Sequence, residues 1–427
     1  MATAVEPLSI CLISQNFPIQ GRVTDTGFLW PIARGLAQKG HKVVVISGHS
    51  PIGKQEIDRD GVKVFYLFEG YPNFSHMPFP KAALKKFIEI HSQFNFQIVH
   101  SMDASAKEIA LVKRKYNLAV AFDVEATQMS QVFSILGMVQ ENLKSLISTG
   151  IAVSYKFLTT YFSQDREILK HADGIFVTSP LQRTFLERYY LYPDFHTYTV
   201  PYGIELGDLT PKEQSFEIKK RLNIPEYSNV VLTITDMMEP AEVVNLIQSF
   251  EKVAIKKPKA YMLIVGNGPS WKQIEAAVLN LALGNRVVMT GALSPGEIFD
   301  MISVSDVYVN MSSRTSGFEP SMIEAMAQKK VIVGSEMSPI ADVVEDGIDG
   351  FLLRPADTES LTNLLVEIFS GNMSIDEIGS KARNKIVNLF DTKKMVSSLE
   401  SSYRQILFKR KISKKALISP DQRTAEV

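Results

Sequence analysis

Cysteine is almost absent: Cys11 is the single one in 427 residues. No internal disulfide can therefore form, and the residue sits inside the apolar run LSICLIS, so a reducing, cytoplasmic setting is expected. Net charge is missing as well. Forty-six Lys and Arg balance forty-six Asp and Glu, and no overall field draws the chain to nucleic acid or to an anionic membrane. The start MATAVEPLSI lacks the basic opening and long apolar stretch of a secretion signal, and no run reaches the ~18–20 apolar residues that cross a bilayer. Any membrane contact is expected to be weak and peripheral. Histidine is scarce, at seven residues. His41 in KGHKV and His100 in QIVHS read as core or turn residues without metal-ligand spacing, and no metal site is expected. There is no short internal repeat and no low-complexity tract.

What is present describes a globular α/β protein. Hydrophobic residues make up 45%, charged residues 22%, and mean hydropathy is +0.02; the length suits two domains. Apolar runs with β character alternate with helical patterns at LSICLIS (8–14), HKVVVIS (41–47), FQIVH (96–100), LAVAFDV (118–124), GIFVTS (174–179) and TYTVPYG (197–203). The pattern restarts at NVVLTIT (229–235), AYMLIVG (260–266), RVVMTG (286–291), DVYVNMS (306–312) and KVIVGS (330–335). Strands apolar on both faces suit parallel sheets covered by helices on each side, so two doubly wound, Rossmann-like domains are expected. The boundary is expected near YGIELGDLTPKEQ (202–214), where Gly, Pro and charge interrupt the pattern.

Ligands of open parallel sheets bind at the carboxyl ends of strands. Two loops after predicted strands stand out. In GNGP (266–269), Gly266, Asn267 and Gly268 would let backbone amides approach a ligand closely. In SSRTSGFEPSMIEAMAQKK (312–330), Glu319 and Glu324 flank the start of a helix that opens with Pro320, where the helix dipole and free N–H groups favour an anion. Lys329 and Lys330 suit the C-terminus of that helix.

The chain resembles the retaining nucleotide-sugar glycosyltransferases of family 4. The resemblance is carried by IARGLAQKGHKVVVIS (32–47), REILKHADGIFVTS (166–179), VPYGIE (200–205), LIVGNGP (263–269), VMTGALSPGEI (288–298), ISVSDVYVNMS (302–312), IEAMA (323–327) and ADVVEDGIDGFLLRPADTESL (341–361). It implies the GT-B fold, two domains facing a cleft. Residues 1–205 would bind the acceptor, 206–391 the nucleotide-sugar, and 392–427 would supply a helix crossing back to the first domain, within TKKMVSSLESSYRQIL (392–407), followed by a basic tail. The tail FKRKISKKALIS (408–419) is expected to be solvated and mobile, with some capacity to touch anionic headgroups.

Residue by residue, the resemblance puts Glu324 on the ribose hydroxyls. Glu319, read through its likeness to the FEPSG of the glycogen-synthase branch, would contact the transferred sugar; Ser316, Gly317 and Phe318 would meet the sugar through backbone groups. Several positions depart from the family. The Arg and Lys that bind the diphosphate are replaced by Asp236 and Ala241 in TDMMEPAE (235–242). The N-terminal glycine pair is represented only by the separated Gly21 and Gly27 of QGRVTDTGF (20–28). The strand-end His that lies by the sugar is replaced by Asp123 or Glu125 in FDVEAT (122–127). Arg22 or Arg314 would then neutralise the diphosphate, with a Mg²⁺ held by Asp236 and Glu239 as the other route. No cofactor beyond the donor is implied. The expected activity is transfer of a sugar from a nucleotide-sugar to a sugar or lipid-linked acceptor with retention of configuration; the alternative is a catalytically degenerate scaffold or regulator that binds a nucleotide or glycan.

Overall fold

The computed structural model describes residues 6–16, 29–50, 53–68, 74, 77–123, 166–205, 210–212, 214–313, 320–337 and 339–418. They fall into two compact units. Of the described residues, one unit holds those within 6–123 and 166–203 and the chain from Thr392 onward, and the other those between Ile204 and Asp391.

In the first unit, β1 (Ser9–Ser14), β2 (Lys42–Ser47), β3 (Glu56–Arg59), β4 (Val62–Tyr66), β5 (Ile98–Ser101), β6 (Ala119–Asp123), β7 (Gly174–Val177) and β8 (Thr197–Thr199) form one sheet in the order β3-β4-β2-β1-β5-β6-β7-β8. All pairings are parallel except β3 with β4. That hairpin was not among the expected strands. Its turn is Asp60-Gly61, both with positive φ (53° and 79°), the pairing that a two-residue turn of right-handed strand twist demands. The interior of β1 and β2 is apolar and fully covered, as a parallel sheet between helix layers requires.

The second unit carries β9 (Asn229–Ile234), β10 (Ala260–Val265), β11 (Val287–Gly291), β12 (Val307–Asn310), β13 (Val331–Ser335) and β14 (Phe351–Leu353), in the order β11-β10-β9-β12-β13-β14 and parallel throughout. The short β14 was also not expected. Helix starts are set by side chains: Glu297 reaches back to the Ser294 N–H at 2.9 Å ahead of the helix Pro295–Val304, and Asp357 accepts from Ser360 N at 3.0 Å at the start of Thr358–Ile368.

The last helix runs from Thr392 to Ile418, so the expected solvated tail is in fact helical as far as Ile418. Its Met395, Val396, Leu399, Tyr403 and Ile406 are buried on the first unit at helical spacing. Bare glycines receive it: a Cβ on Gly35 would lie 2.6 Å from Val396 Cγ2. Further along, Arg410 pairs with Asp173 at 3.2 Å and Lys409 Nζ donates to the Tyr198 hydroxyl at 3.2 Å, which anchors two of the tail's cations. Among the described residues, no helix is long and apolar enough to cross a membrane.

Candidate functional site

The strand order of the second unit reverses at β9. Strands β10 and β11 extend to one side and β12 to β14 to the other, so the crevice outside the carboxyl ends of β9 and β12 is the place for a ligand. The loop after β9 leads to the helix Pro240–Lys256, and that after β12 leads to the helix Pro320–Ala327. Glu242, in the first turn of the former, ties that helix to the residues just past β12. Its Oε1 accepts from Ser313 N at 2.9 Å, Ser312 Oγ at 3.1 Å and Ser313 Oγ at 3.2 Å. This carboxylate was not singled out from the sequence, although it is the last residue of TDMMEPAE. A cavity of about 200 Å³ opens beside it, lined by Ala241, Glu242, Asn245, Ser313, Ala356 and Asp357 among others.

Asp236 shapes its own loop. Its Oδ1 accepts from Met238 N at 3.0 Å, the Thr235 hydroxyl accepts from Met237 N at 3.0 Å, and Met237 adopts a left-handed φ of 54°. Ala241 is exposed on the helix opening. Glu239, proposed with Asp236 as a Mg²⁺ pair, is exposed too, and among the described residues no group of three or more metal-ligating side chains comes together.

The glycines of GNGP serve a neighbour of their own chain. Gly266 has φ 129°, and a Cβ there would run into the Thr235 carbonyl oxygen; a Cβ on Gly268 would run into that of Asp236. The expected close approach is thus made first by the β9 loop, whose backbone the two glycines admit. Asn267 is exposed, with its Oδ1 accepting from Gly268 N at 2.9 Å. The three residues follow β10 and pack beside the β9 loop.

Glu324 lies in the second turn of Pro320–Ala327, a helix buried at every residue, and is itself 2% exposed. Glutamate is seldom so buried, because its charge must be matched by polar partners. The start of that helix is fixed to β12 by the 3.0 Å contact between the Tyr308 hydroxyl and Ser321 Oγ. Arg314, Ser316, Gly317, Phe318 and Glu319 lie outside the described residues, as do Gly21, Arg22, Gly27 and Glu125.

In the first unit the strand order reverses at β1 and β5. Asp103 bridges the loops that follow them: Oδ2 accepts from Gln15 N at 3.1 Å and Oδ1 from Ser105 N at 2.7 Å. Asp123 is the last residue of β6, two strands from β1. Its Oδ1 lies 2.9 Å from His100 Nε2, and His100 Nδ1 lies 2.6 Å from the Tyr403 hydroxyl. His100 is a buried structural residue, as expected, but it also links a site candidate to the last helix. Burial, and then the charge of Asp123, push the Tyr403 phenol well above the usual tyrosine range. His41 has its expected local role: its Nδ1 accepts from Leu8 N at 3.1 Å at the head of β1.

Residues 28–203 match the model of the glycosyl transferase 4-like domain, and residues 214–385 match that of the glycosyl transferases group 1. The chain is 22% identical over 383 residues to N-acetyl-alpha-D-glucosaminyl L-malate synthase of Bacillus anthracis, which spans 88% of this chain and 92% of that protein. Among solved structures it resembles sucrose-phosphate synthase from Thermosynechococcus elongatus, with a TM-score of 0.74 at 18% identity over 94% of this chain and 100% of the other. It also resembles Anabaena HepE, solved with UDP and glucose, with a TM-score of 0.69 at 15% identity over 93% of this chain and 99% of the other. These likenesses agree with the two parallel-sheet α/β domains of the GT-B fold.

Proposed function

The chain belongs to the glycosyltransferases of group 1 with a 4-like N-terminal domain, and from that premise we propose that it moves a sugar from a nucleotide-sugar to a sugar or lipid-linked acceptor with retention of configuration. The observation that carries the reading is the reversal point of the second unit, where Glu242, opening the helix after β9, holds Ser312 and Ser313 just past β12, in the stretch of chain that leads to buried Glu324.

Glu324 accepts the ribose hydroxyls. The diphosphate meets the free N–H groups opening the helix Pro320–Ala327, whose dipole favours negative charge. Arg22 or Arg314 supplies the countercharge that Asp236 and Ala241 do not. Backbone groups of Ser316, Gly317 and Phe318 meet the transferred sugar and Glu319 contacts its hydroxyls, while Asp123 is the strand-end polar group that touches the sugar in the first unit. Catalysis of this kind rests on positioning and on stabilising charge as it develops on the leaving diphosphate. HepE was solved with UDP, so UDP-sugars head the donor panel.

The test has two stages. A thermal-shift screen of nucleoside diphosphates identifies the base, since a ligand at 100 times its dissociation constant stabilises the protein by ~2.7 kcal/mol. Transfer to sugar and lipid-linked acceptors is then followed by NMR of the new anomeric centre. An inverted product overturns retention. Nucleotide binding without hydrolysis or transfer across the panel would instead support the non-catalytic scaffold, the reading that Asp236 and Ala241 favour.

A further inference from the structure

Tyr403 and His100 are 303 residues apart in sequence, yet their polar atoms meet at 2.6 Å inside the first unit. Tyr403 is 0% exposed and His100 1%. If position 403 had only to fill the core, phenylalanine would pack as well without a hydroxyl to satisfy, because buried polar groups destabilise unless each is hydrogen-bonded. Here every member is matched. The chain of contacts runs from the phenol through both imidazole nitrogens to Asp123, whose side chain is 11% exposed at the end of β6.

The direction of the hydrogens follows from Asp123. A carboxylate only accepts, so His100 Nε2 carries a proton and donates it across 2.9 Å. In the neutral ring Nδ1 is then bare, and the Tyr403 hydroxyl donates to it. We propose that Tyr403 and His100 are positioning residues for sugar transfer: the phenol, brought in by the C-terminal helix, holds Nδ1 and so fixes the imidazole whose Nε2–H orients the Asp123 carboxylate.

The inference rests on the proposed role of Asp123 at the sugar. Phe176 holds the imidazole from the side, with ring centroids 4.6 Å apart, and lies edge-on to Tyr403 at 5.8 Å. Between Asp123, His100, Thr178 and Tyr202 is a cavity of about 20 Å³, room for about one water molecule. The carboxylate is therefore fixed by the far end of the chain, and the last helix takes part in the site as well as in the core.

The test begins on the unaltered protein. Nitrogen-15 labelling of histidine should show His100 as a neutral ring protonated at Nε2; a ring protonated at Nδ1 alone, or at both nitrogens, overturns the inference. Tyr403→Phe should leave His100 Nδ1 without its donor, shift the Nδ1 nitrogen-15 resonance, and lower kcat roughly tenfold or more while the donor KM stays within about twofold, because ground-state donor binding is made elsewhere. Asp123→Asn separates the two levels. If Asp123→Asn transfers normally, the role of Asp123 itself fails. If Asp123→Asn is impaired but Tyr403→Phe keeps the wild-type kcat, the positioning inference alone fails.

Discussion

The Glu242 carboxylate accepts the Ser313 backbone N–H at 2.9 Å and, with the same oxygen, the hydroxyls of Ser312 and Ser313. One side chain thereby holds the root of the loop after β12 against the helix that follows β9. Glu242→Ala leaves one backbone and two hydroxyl donors to find other acceptors. We expect it to lower unfolding free energy by ~1.5–3 kcal/mol in urea titrations, and Glu242→Gln, which keeps an acceptor oxygen without charge, to lower it by less. Equal losses for the two would show that the charge contributes nothing.

A second prediction concerns Gly268. Its missing Cβ makes room for the Asp236 carbonyl oxygen, and backbone cannot move aside as a flexible side chain would. Gly268→Ala should destabilise the second unit and weaken nucleotide binding together. Gly296→Ala is the control: nothing lies within 4 Å of a Cβ there, the site is helical, and the change should be neutral or stabilise by ~0.4–1 kcal/mol. A Gly268→Ala protein with wild-type Tm and nucleotide affinity would contradict the packing argument.

Much of this was legible in the sequence because buried parallel strands write themselves as continuous apolar runs: β1, β2, β9, β10 and β13 fall inside the runs that announce them. The β3–β4 hairpin and β14 escape this signal. EIDR has a single apolar residue among three charges at a sheet edge and β14 has only three residues, so neither makes an apolar run, although Asp60-Gly61 is a hairpin turn visible in the letters. The candidate site divides the same way. Glu324 is announced by the helix opening that carries it, whereas Tyr403 meets His100 only through the path of the last helix, which no local spacing encodes. Glu242 was in plain view but reads as one more helix-opening acid until its serine partners are known.

A third prediction is a pH dependence. Lys330 was expected to suit a helix C-terminus; it is 9% exposed and donates to the Ser303 and Ser305 carbonyls, both at 2.8 Å, at the end of the neighbouring helix Pro295–Val304. Burial brings its pKa down to about 8. Below that pH both folded and unfolded chains hold the proton, and the full penalty of burying the charge is present. Above it the folded chain releases the proton while the unfolded chain keeps it up to the ordinary lysine range, so this residue's contribution to stability rises with pH in that window, by up to ~1.4 kcal/mol per pH unit. Denaturant titrations at pH 7.5 and 9.5 check it. The advantage of wild type over Lys330→Met should grow between those values; a constant difference would refute the shift.

The last prediction separates the two carboxylates that flank Pro320. Glu324, buried in the helix, is proposed to hold the nucleotide, so Glu324→Ala should reduce nucleoside diphosphate affinity by ~1.5–3 kcal/mol as two ribose hydroxyls lose a charged acceptor. The same truncation also changes a buried site, so the loss of Tm in the absence of ligand must be measured beside the affinity. Glu319 is proposed to contact the transferred sugar, a contact that counts only when the sugar is bound and most strongly as its bond to the diphosphate breaks. Glu319→Gln should therefore bind the nucleoside diphosphate as wild type does and turn over more slowly, a fall in kcat with little change in diphosphate affinity. Were Glu319→Gln to weaken diphosphate binding as much as Glu324→Ala does, both carboxylates would belong to the nucleotide and the sugar contact would have to come from elsewhere.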